Sequence, residues 1–239
     1  MSLSSLERIY PGTKGQEIGE SDTIRLHIER YHFAGAQLSP GMIADIACGS
    51  GYGSFLLATS FKEKIEKITA VEIDPQAIVY ARSHYSHPAI EFIREDIFNF
   101  TSASLFNTII SLETIEHLPD PIKFIRHCKS MLVNGGRFIV SAPVVPTTDA
   151  NPYHLQDFSA GSFRKLFLNE GFTEISAMMQ VQKYNPFSLA ARKQDRSSGI
   201  RKGLFRYYLK NPGKLFRRLK SLLTDGFRIK YLVVVFENR

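Results

Sequence analysis

Residues 42–53, Met-Ile-Ala-Asp-Ile-Ala-Cys-Gly-Ser-Gly-Tyr-Gly, constrain the fold more than any other segment of the chain. An apolar run that carries one acid, Asp45, ends in three glycines spaced by two, and a helix-like stretch follows at once. This order predicts a strand, a tight turn and the start of a helix. In open α/β sheets, ligands bind at the carboxyl ends of such strands. The turn therefore predicts both a ligand site and a sheet built from further strands and helices.

Apolar segments alternate with helix signals along most of the 239 residues. Aspartate followed by proline, at 74–75 and 120–121, is typical of a helix start, because proline lacks an N–H that the first turn would leave unbonded. A first helix is expected at 21–37, and the helix from 120 is expected to end near 134–136. Strands are predicted at 42–47, 65–73, 89–94, 106–112, 137–142, 173–181 and 231–237. This alternation predicts an α/β fold with a parallel sheet flanked by helices.

Acidic residues lie at the ends of the first three predicted strands. Glu72 lies 19 residues after Gly53, a distance typical of an acid that binds the two hydroxyls of a ribose. Asp96 follows the third strand and is predicted to accept a hydrogen bond from an adenine amino group. The glycine spacing is GxGxG instead of GxGxxG, and a carboxylate at Asp45 would repel a pyrophosphate. These residues favour a nucleoside with an amino-acid end over a dinucleotide.

The segments 44–53, 71–74, 94–97, 106–111 and 132–137 resemble, in order, the motifs of class I S-adenosylmethionine-dependent methyltransferases. The resemblance implies a doubly wound, Rossmann-like sheet of seven strands, mostly parallel, with the last strand antiparallel. In it, Asp45 anchors the amino-acid end of the cofactor, Glu72 binds the ribose, Asp96 binds the adenine, and glycines allow close approach. The cofactor-binding residues that it implies are Asp45, Ala47, Cys48, Gly49, Gly51, Glu72, Ile73, Asp96, Ile97 and Ser111. Ala47 stands where the family more often has glycine.

Acids and histidines follow the fourth and fifth predicted strands, whose carboxyl ends are expected to be neighbours. Glu113, Glu116 and His117 would share one face of a helical turn, and His154 lies in the long loop after the fifth strand. The set resembles the ExxEH…H ligands of small-RNA 2′-O-methyltransferases and predicts an Mg²⁺ or Mn²⁺ site formed by all four residues. Two alternatives stay open: metal-free catalysis by His117, His154 and Glu116, with a histidine as general base, and a purely structural role.

The chain is predicted to form a single methyltransferase domain, residues 1–239, with two additions. Residues 1–38 are expected to form a helix and a lid before the sheet. Two interpretations are open for Tyr10, His27, Arg30 and Tyr31 of this segment. They either cover the cofactor, with Arg30 near the carboxylate of its methionine part, or lie on a solvated helix face. Residues 183–226 are predicted to be an amphipathic insertion between the last two strands.

The insertion concentrates the positive charge of the chain. Up to Gln182 there are 15 Lys and Arg against 20 Asp and Glu, whereas from Lys183 onward there are 15 against 3. Such asymmetry indicates a separate electrostatic role. Four interpretations are open: contact with an anionic membrane or lipid-linked substrate, nucleic-acid binding, a homodimer contact, or a substrate cap that packs its apolar face on the domain and leaves its cations in water.

The predicted function is S-adenosylmethionine-dependent methyl transfer to a hydroxyl oxygen of a small acceptor: a sugar, a phenol or quinone, or a lipid-associated molecule. The alternatives are metal-assisted RNA 2′-O-methylation and a cofactor-binding scaffold without turnover. The sequence has no apolar run of about 18 residues, no apolar segment at its amino terminus and only two cysteines. These features predict a cytoplasmic protein, peripheral at the membrane if the insertion binds lipid.

Overall fold

The structure, a computed structural model, describes residues 18–183 and 203–239, and of residues 18–21 the backbone alone. The strands are β1 (Gly41–Ile46), β2 (Ile65–Glu72), β3 (Ile90–Arg94), β4 (Phe106–Leu112), β5 (Leu132–Pro143), β6 (Phe172–Lys183) and β7 (Arg228–Asn238). The helices are α1 (Ile18–Ala36), α2 (Tyr52–Ser60), α3 (Pro75–His84), α4 (Pro121–Ser130) and α5 (Ala160–Asn169). Two further helices, Leu204–Lys210 and Pro212–Asp225, are called the basic helices below.

The strands form one sheet in the order β3-β2-β1-β4-β5-β7-β6. β1 pairs in parallel with both β2 and β4, whereas β7 is antiparallel to both β5 and β6. The prediction of a doubly wound, seven-stranded sheet with an antiparallel last strand is confirmed. The chain moves outward from β1 through β2 and β3, then returns to the other side of β1 as β4. Such a reversal of direction opens a crevice at the carboxyl ends of the strands.

Helices cover both faces of this sheet, and alternate strand residues supply the two halves of the core. Ile43 of β1 packs in a cluster with residues of α1, α2 and α3, while the adjacent Ala44 packs in a cluster with residues of α4 and α5. On the second face, the ring of Phe138 lies 5.5 Å from that of Phe167 and 5.8 Å from that of Phe124. Burial on both faces explains why the central strands have nearly continuous apolar sequences.

The boundary between α4 and β5 differs from the prediction, which placed the end of the helix near 134–136. The helix ends at Ser130 and the strand begins at Leu132. The pairing advances by two positions along β4 but by five along β5, since Phe106 pairs with Leu132 and Thr108 with Arg137. Gly135 has a φ of 73°, a left-handed conformation that glycine adopts at little cost. The glycine pair therefore marks a bulge within the strand instead of the end of the helix.

The start of α1 also differs from the prediction of 21–37. The helix begins at Ile18, so that Ser21 and Asp22 lie inside it. Acidic side chains are favourable near the positive end of a helix dipole even when they do not cap it. Tyr10 and the rest of residues 1–17 lie outside the described residues.

Two connections at the carboxyl edge of the sheet position the groups that follow β4 and β5. One is a 3-10 turn, Ile115–His117, and the other is the loop 144–158, called the acceptor loop below. The N–H groups of Leu155 and Gln156 both donate to the carbonyl of Glu116, at 2.8 and 3.1 Å. The acceptor loop is thereby held against the turn.

The basic helices lie in the chain between β6 and β7. The preceding part of the predicted insertion, residues 184–202, lies outside the described residues. No helix in the part of the chain that the structure describes is both long and apolar enough to cross a bilayer.

Candidate active site

A cavity of about 640 Å³ lies at the carboxyl ends of β1, β2, β3 and β4. Part of its wall comes from the glycine turn after β1 and from the ends of β2 and β3. The rest comes from α1, the 3-10 turn and the acceptor loop. Seven of the ten predicted cofactor residues line it: Ala47, Cys48, Gly49, Glu72, Ile73, Asp96 and Ile97. The other three, Asp45, Gly51 and Ser111, are buried and are not among the described residues that line it.

The glycine turn is compact because three of its residues have left-handed backbone conformations. The φ angle is 61° at Ala47, 59° at Gly49 and 84° at Gly51. A Cβ atom at Gly49 would meet no described atom within 4 Å, so this glycine leaves the cavity open. A Cβ at Gly51 would lie 2.6 Å from the Cβ of Ala81. The close packing of the turn against α3 is therefore sufficient to explain why residue 51 is a glycine. A close approach of its backbone to the cofactor is not needed to explain it.

Glu72 and Asp96 present fixed carboxylates to the cavity. The N–H of Gly49 donates to Oε2 of Glu72 at 3.1 Å, and the N–H of Asp74 donates to its Oε1 at 3.0 Å. The N–H of Phe98 donates to Oδ1 of Asp96 at 2.8 Å. Each carboxylate oxygen can accept a further hydrogen bond. The two acids therefore fit a ligand with hydroxyl and amino donors, as a ribose and an adenine have.

Asp45 is buried beneath the turn. The hydroxyl of Ser54 donates to its carboxylate at 2.6 Å, and that of Tyr31 lies at 3.3 and 3.4 Å from its two oxygens. Burial raises the pKa of Asp45 to about 6; the charge of Glu72 adds to this, while the hydrogen bonds from Ser54 and Tyr31 oppose it. A negative charge in this position favours a cationic group in the cavity, such as the ammonium of an amino acid.

Replacing Asp45 by asparagine should stabilise the cofactor-free protein at pH 7. The folded-state pKa lies above the unfolded value of 3.8, so the stability that this group contributes is present at low pH and lost as pH rises through about 6. We expect Asp45→Asn to raise the free energy of unfolding by about 1–3 kcal/mol at pH 7 and by much less at pH 4. Denaturant titrations at both pH values measure this, with Asp22→Asn on the exposed start of α1 as control. An equal effect at both pH values would contradict the assignment.

Buried Arg30 forms an ion pair with Glu113, which lines the cavity, and sequence reasoning did not foresee this pair. Arg30 is 1% exposed, lies 3.4 Å from the carboxylate of Glu113, and donates through Nε to Gln180 at 2.7 Å. Its burial contradicts the expectation of a solvated helix face. Arg30 is not among the described residues that line the cavity, and its pairing with the cofactor carboxylate stays a prediction. The hydroxyl of Ser141 donates to Glu113 at 2.6 Å. His27 and Tyr31, in contrast, do line the cavity.

Glu116, His117 and His154 form a compact cluster. One ligand atom from each lies within 4.8 Å of those of the other two, and the two imidazole centroids are 4.6 Å apart. Of the four predicted metal ligands, the structure brings these three together and does not include Glu113. The φ angle of 52° at Glu113 departs from a helical turn, and its side chain reaches Ser141 on β5 instead.

The two histidines of this cluster differ in their relation to the cavity. His117 lines the cavity, and its Nδ1–H donates to the carbonyl of Tyr153 at 3.2 Å. Because a carbonyl can only accept, the neutral ring carries its proton on Nδ1, and Nε2 is the basic nitrogen. His154 bonds through Nδ1 to the hydroxyl of Thr147 at 2.7 Å. Burial, with a further contribution from His117, lowers the pKa of His154 to about 3, so this ring is neutral at pH 7.

Three supporting hydroxyls were missed at the sequence level: Ser54, Ser141 and Thr147. Ser141 could have been identified from the sequence, because it interrupts the apolar run of β5. A polar side chain buried in such a strand needs a hydrogen-bond partner. Ser111 was predicted, and its Oγ is buried with no hydrogen-bond partner among the described residues. Such a group is typical of a site that a ligand or water completes.

The sheet order, the glycine turn and the two carboxylates together define a methyltransferase domain whose cavity fits an adenosine with an amino-acid end. A family model described as a methyltransferase domain matches residues 40–198, and the chain belongs to this family. A probable S-adenosylmethionine-dependent methyltransferase of Mycobacterium tuberculosis is 30% identical over 175 residues, which cover 66% of this chain and 61% of that protein. The chain therefore contains a methyltransferase domain, and a relative similar to it over that region is described as S-adenosylmethionine-dependent.

Further similarities agree with this assignment. A ubiquinone biosynthesis O-methyltransferase of Xanthomonas axonopodis is 29% identical over 118 residues, 47% of this chain and 48% of that protein. The matches thus span about half to three fifths of the length of these curated relatives. A solved structure from Bacillus halodurans, described as that of a putative methyltransferase, has a TM-score of 0.66 at 14% identity, and the match covers 88% of this chain and 97% of that one. The N-methyltransferase NodS of Bradyrhizobium japonicum, with S-adenosylhomocysteine, scores 0.58 at 16% identity, covering 98% and 94%. Both share the fold.

Proposed function

We propose that this methyltransferase methylates a hydroxyl oxygen on a small acceptor with substantial apolar surface, and that His117 is the general base. The observation that carries this proposal is that one cavity is lined both by the cofactor residues Gly49, Glu72 and Asp96 and by His117. An acceptor bound next to His117 would share that cavity with the methyl donor. Methyl transfer requires this proximity, because the reacting atoms must align in one line.

The chemistry that the protein has to supply is modest. S-adenosylmethionine, when bound, carries a methyl group already activated by its sulfonium. A hydroxyl oxygen that takes up this methyl must lose its proton. His117 Nε2 would accept it, because the hydrogen bond from Nδ1 to the carbonyl of Tyr153 keeps the proton of the neutral ring on Nδ1. General bases of this kind contribute about 10²–10⁴-fold to rates. Glu116 and His154 lie next to His117. In this proposal both are positioning residues for the ring, and the carboxylate of Glu116 balances the charge that the ring gains.

The acceptor end of the cavity favours an apolar molecule over a free sugar. Around His117, the lining residues are mostly apolar: Leu112, Leu118, Pro119, Pro152 and Leu155. A phenol, a quinone precursor or a sugar on a lipid carrier offers a matching surface, because the burial of apolar area drives binding. The similarity to ubiquinone biosynthesis O-methyltransferases of Xanthomonas also supports a phenolic or lipid-associated acceptor.

The proposal is tested by supplying S-adenosylmethionine with a labelled methyl group to a cell extract separated into lipid, aqueous small-molecule, RNA and protein fractions. We expect the label in the lipid fraction, bound as an ether that resists mild base hydrolysis. Extract without enzyme is the control. Label in RNA would instead support 2′-O-methylation, and absence of label from every fraction would support a scaffold without turnover.

A second candidate mechanism uses a metal ion and rests on the cluster of Glu116, His117 and His154. Two imidazoles and one carboxylate suit Mn²⁺, Zn²⁺ or Fe²⁺ better than Mg²⁺, which prefers oxygen ligands. These three side chains would hold such an ion, which would bind the acceptor hydroxyl and favour its deprotonated form. His117 could not then accept the proton. The two mechanisms are therefore exclusive, and a chelator distinguishes them.

A further inference from the structure

The basic helices contact the domain through their cationic side. Nζ of Lys214 lies 2.5 Å from Asp157 and donates to the hydroxyl of Thr148 at 2.7 Å. Arg218 forms a two-point ion pair with Asp149, whose side chain is 2% exposed. Two cations of these helices therefore face inward. This differs from the expectation of a cap that packs its apolar face on the domain and leaves all of its cations in water.

The opposite side of the same helices is apolar and lies in solvent. Residues four apart share one side of a helix, and both helices carry such series. The side chains, called the apolar outer face below, are Phe205, Leu209, Leu215, Phe216, Leu219 and Leu223. Leu223 is 89% exposed, Phe205 79% and Phe216 69%. Large apolar side chains exposed on two consecutive helices mark an interaction surface, because isolated ones are ordinary but clusters are rare.

Cations lie next to the apolar outer face. Arg206, Lys210, Arg217 and Lys220 are all exposed, and none forms an ion pair within the described residues. The acid of these helices, Asp225, is already bound to Lys230 at 2.5 Å. A surface that combines exposed leucine and phenylalanine with unneutralised cations is complementary to one with apolar chains beneath negative charges.

We propose that the apolar outer face docks on an anionic lipid bilayer, with the two helices lying in the plane of its headgroups. Basic helices with a separate apolar side bind membranes in this way, and the leucine series Leu215, Leu219 and Leu223 enters the acyl boundary. RNA phosphates would use the cations but give these leucines no partner. A symmetric dimer would bring the same cations of two copies together, which is unfavourable.

This docking would place the cavity close to the lipid surface, an extension that rests on the proposed function. The acceptor loop contacts the basic helices through Asp149 and Asp157 and lines the cavity through Pro152, Tyr153 and Leu155. One short segment therefore links the bilayer-facing helices to the acceptor end of the site. A lipid-linked acceptor would reach the cavity without leaving the membrane.

The test is co-sedimentation of the full chain with vesicles of phosphatidylcholine alone or with 30 mol% phosphatidylglycerol. We expect binding to the anionic vesicles that falls at least fivefold at high salt, and little binding to the neutral ones. Phe216→Ser with Leu223→Ser, and separately Arg217→Glu with Lys220→Glu, should each reduce the bound fraction at least tenfold. The control for the apolar variant is Val79→Ser with Leu105→Ser, and the control for the charge variant is Lys62→Glu with Lys165→Glu. Both pairs are exposed on other parts of the domain, and both control variants should bind as the wild type does.

Failure of the wild type to sediment with anionic vesicles overturns the proposal, as does undiminished binding by both variants of the outer face. Loss of sedimentation after nuclease treatment also overturns the proposal. So does a protein that forms a dimer but does not bind vesicles, if Phe216→Ser with Leu223→Ser dissociates that dimer. Calorimetry with S-adenosylmethionine shows that each variant is folded. Methyl transfer to the lipid fraction in detergent is measured separately, so that vesicle docking and acceptor chemistry can fail independently.

Discussion

Replacing Glu72 by alanine is expected to weaken S-adenosylmethionine binding by at least tenfold. The carboxylate accepts backbone hydrogen bonds from Gly49 and Asp74 and lines the cavity at the end of β2. Hydrogen bonds to a charged group contribute about 1.5–3 kcal/mol, which corresponds to roughly 10- to 150-fold in affinity. Titration calorimetry measures the loss directly, without any knowledge of the acceptor.

Two further variants separate the contributions of Glu72. Glu72→Gln keeps a carbonyl oxygen for one of the two N–H groups and removes the charge, so its affinity should lie between those of the wild type and Glu72→Ala. Glu66→Ala changes an exposed acid of the same strand and should leave affinity unchanged. Thermal unfolding of each cofactor-free variant reports any loss of stability in the turn. An unchanged affinity in folded Glu72→Ala would refute the assignment of this residue to the ribose.

The predictions about strands succeeded because they depend on local patterns. The position of Glu72 at the end of β2 and of Asp96 after β3 follows from where apolar runs stop. Parallel strands then bring those ends to one edge of the sheet. The cofactor half of the site needed no knowledge of distant contacts.

Contacts between distant residues were not predictable in the same way. Glu113 was expected next to His117, but a single left-handed φ at Glu113 sends its carboxylate to Ser141 and Arg30, which lie 28 residues later and 83 residues earlier. A non-glycine residue in this conformation has no reliable signature in the sequence. Such strain is found where the surrounding contacts hold the backbone in place.

The basic helices illustrate a second limit. Their sequence shows two faces, one cationic and one apolar, and an apolar face normally packs inward. Here the order is reversed because Asp149 and Asp157, both buried, bind Arg218 and Lys214. Those acids lie 69 and 57 residues before their partners. Amphipathicity predicts that two faces exist, but the location of buried counter-charges decides which of them points inward.

Replacing His117 by alanine is expected to reduce the rate of methyl transfer by about 10²–10⁴-fold and to leave the affinity for S-adenosylmethionine within twofold of the wild type. His117 Nε2 is the proposed proton acceptor, whereas Glu72 and Asp96, which also line the cavity, are the residues predicted to hold the cofactor. Rates are measured with labelled cofactor and the acceptor fraction found as above. His84→Ala, an exposed histidine of α3, is the control.

A structural role for His117 would give a different result from a catalytic one. His117→Gln can still donate to the carbonyl of Tyr153, so a positioning role would be largely restored by glutamine, whereas a base would not. The pH–rate profile provides an independent measurement, because loss of a general base changes the shape of the profile whereas loss of a positioning residue does not. Wild-type activity in excess chelator completes the comparison: full activity supports His117 as base, and loss that Mn²⁺ restores supports a metal held by Glu116, His117 and His154. Activity of His117→Ala equal to that of the wild type would exclude both mechanisms, since each depends on this ring.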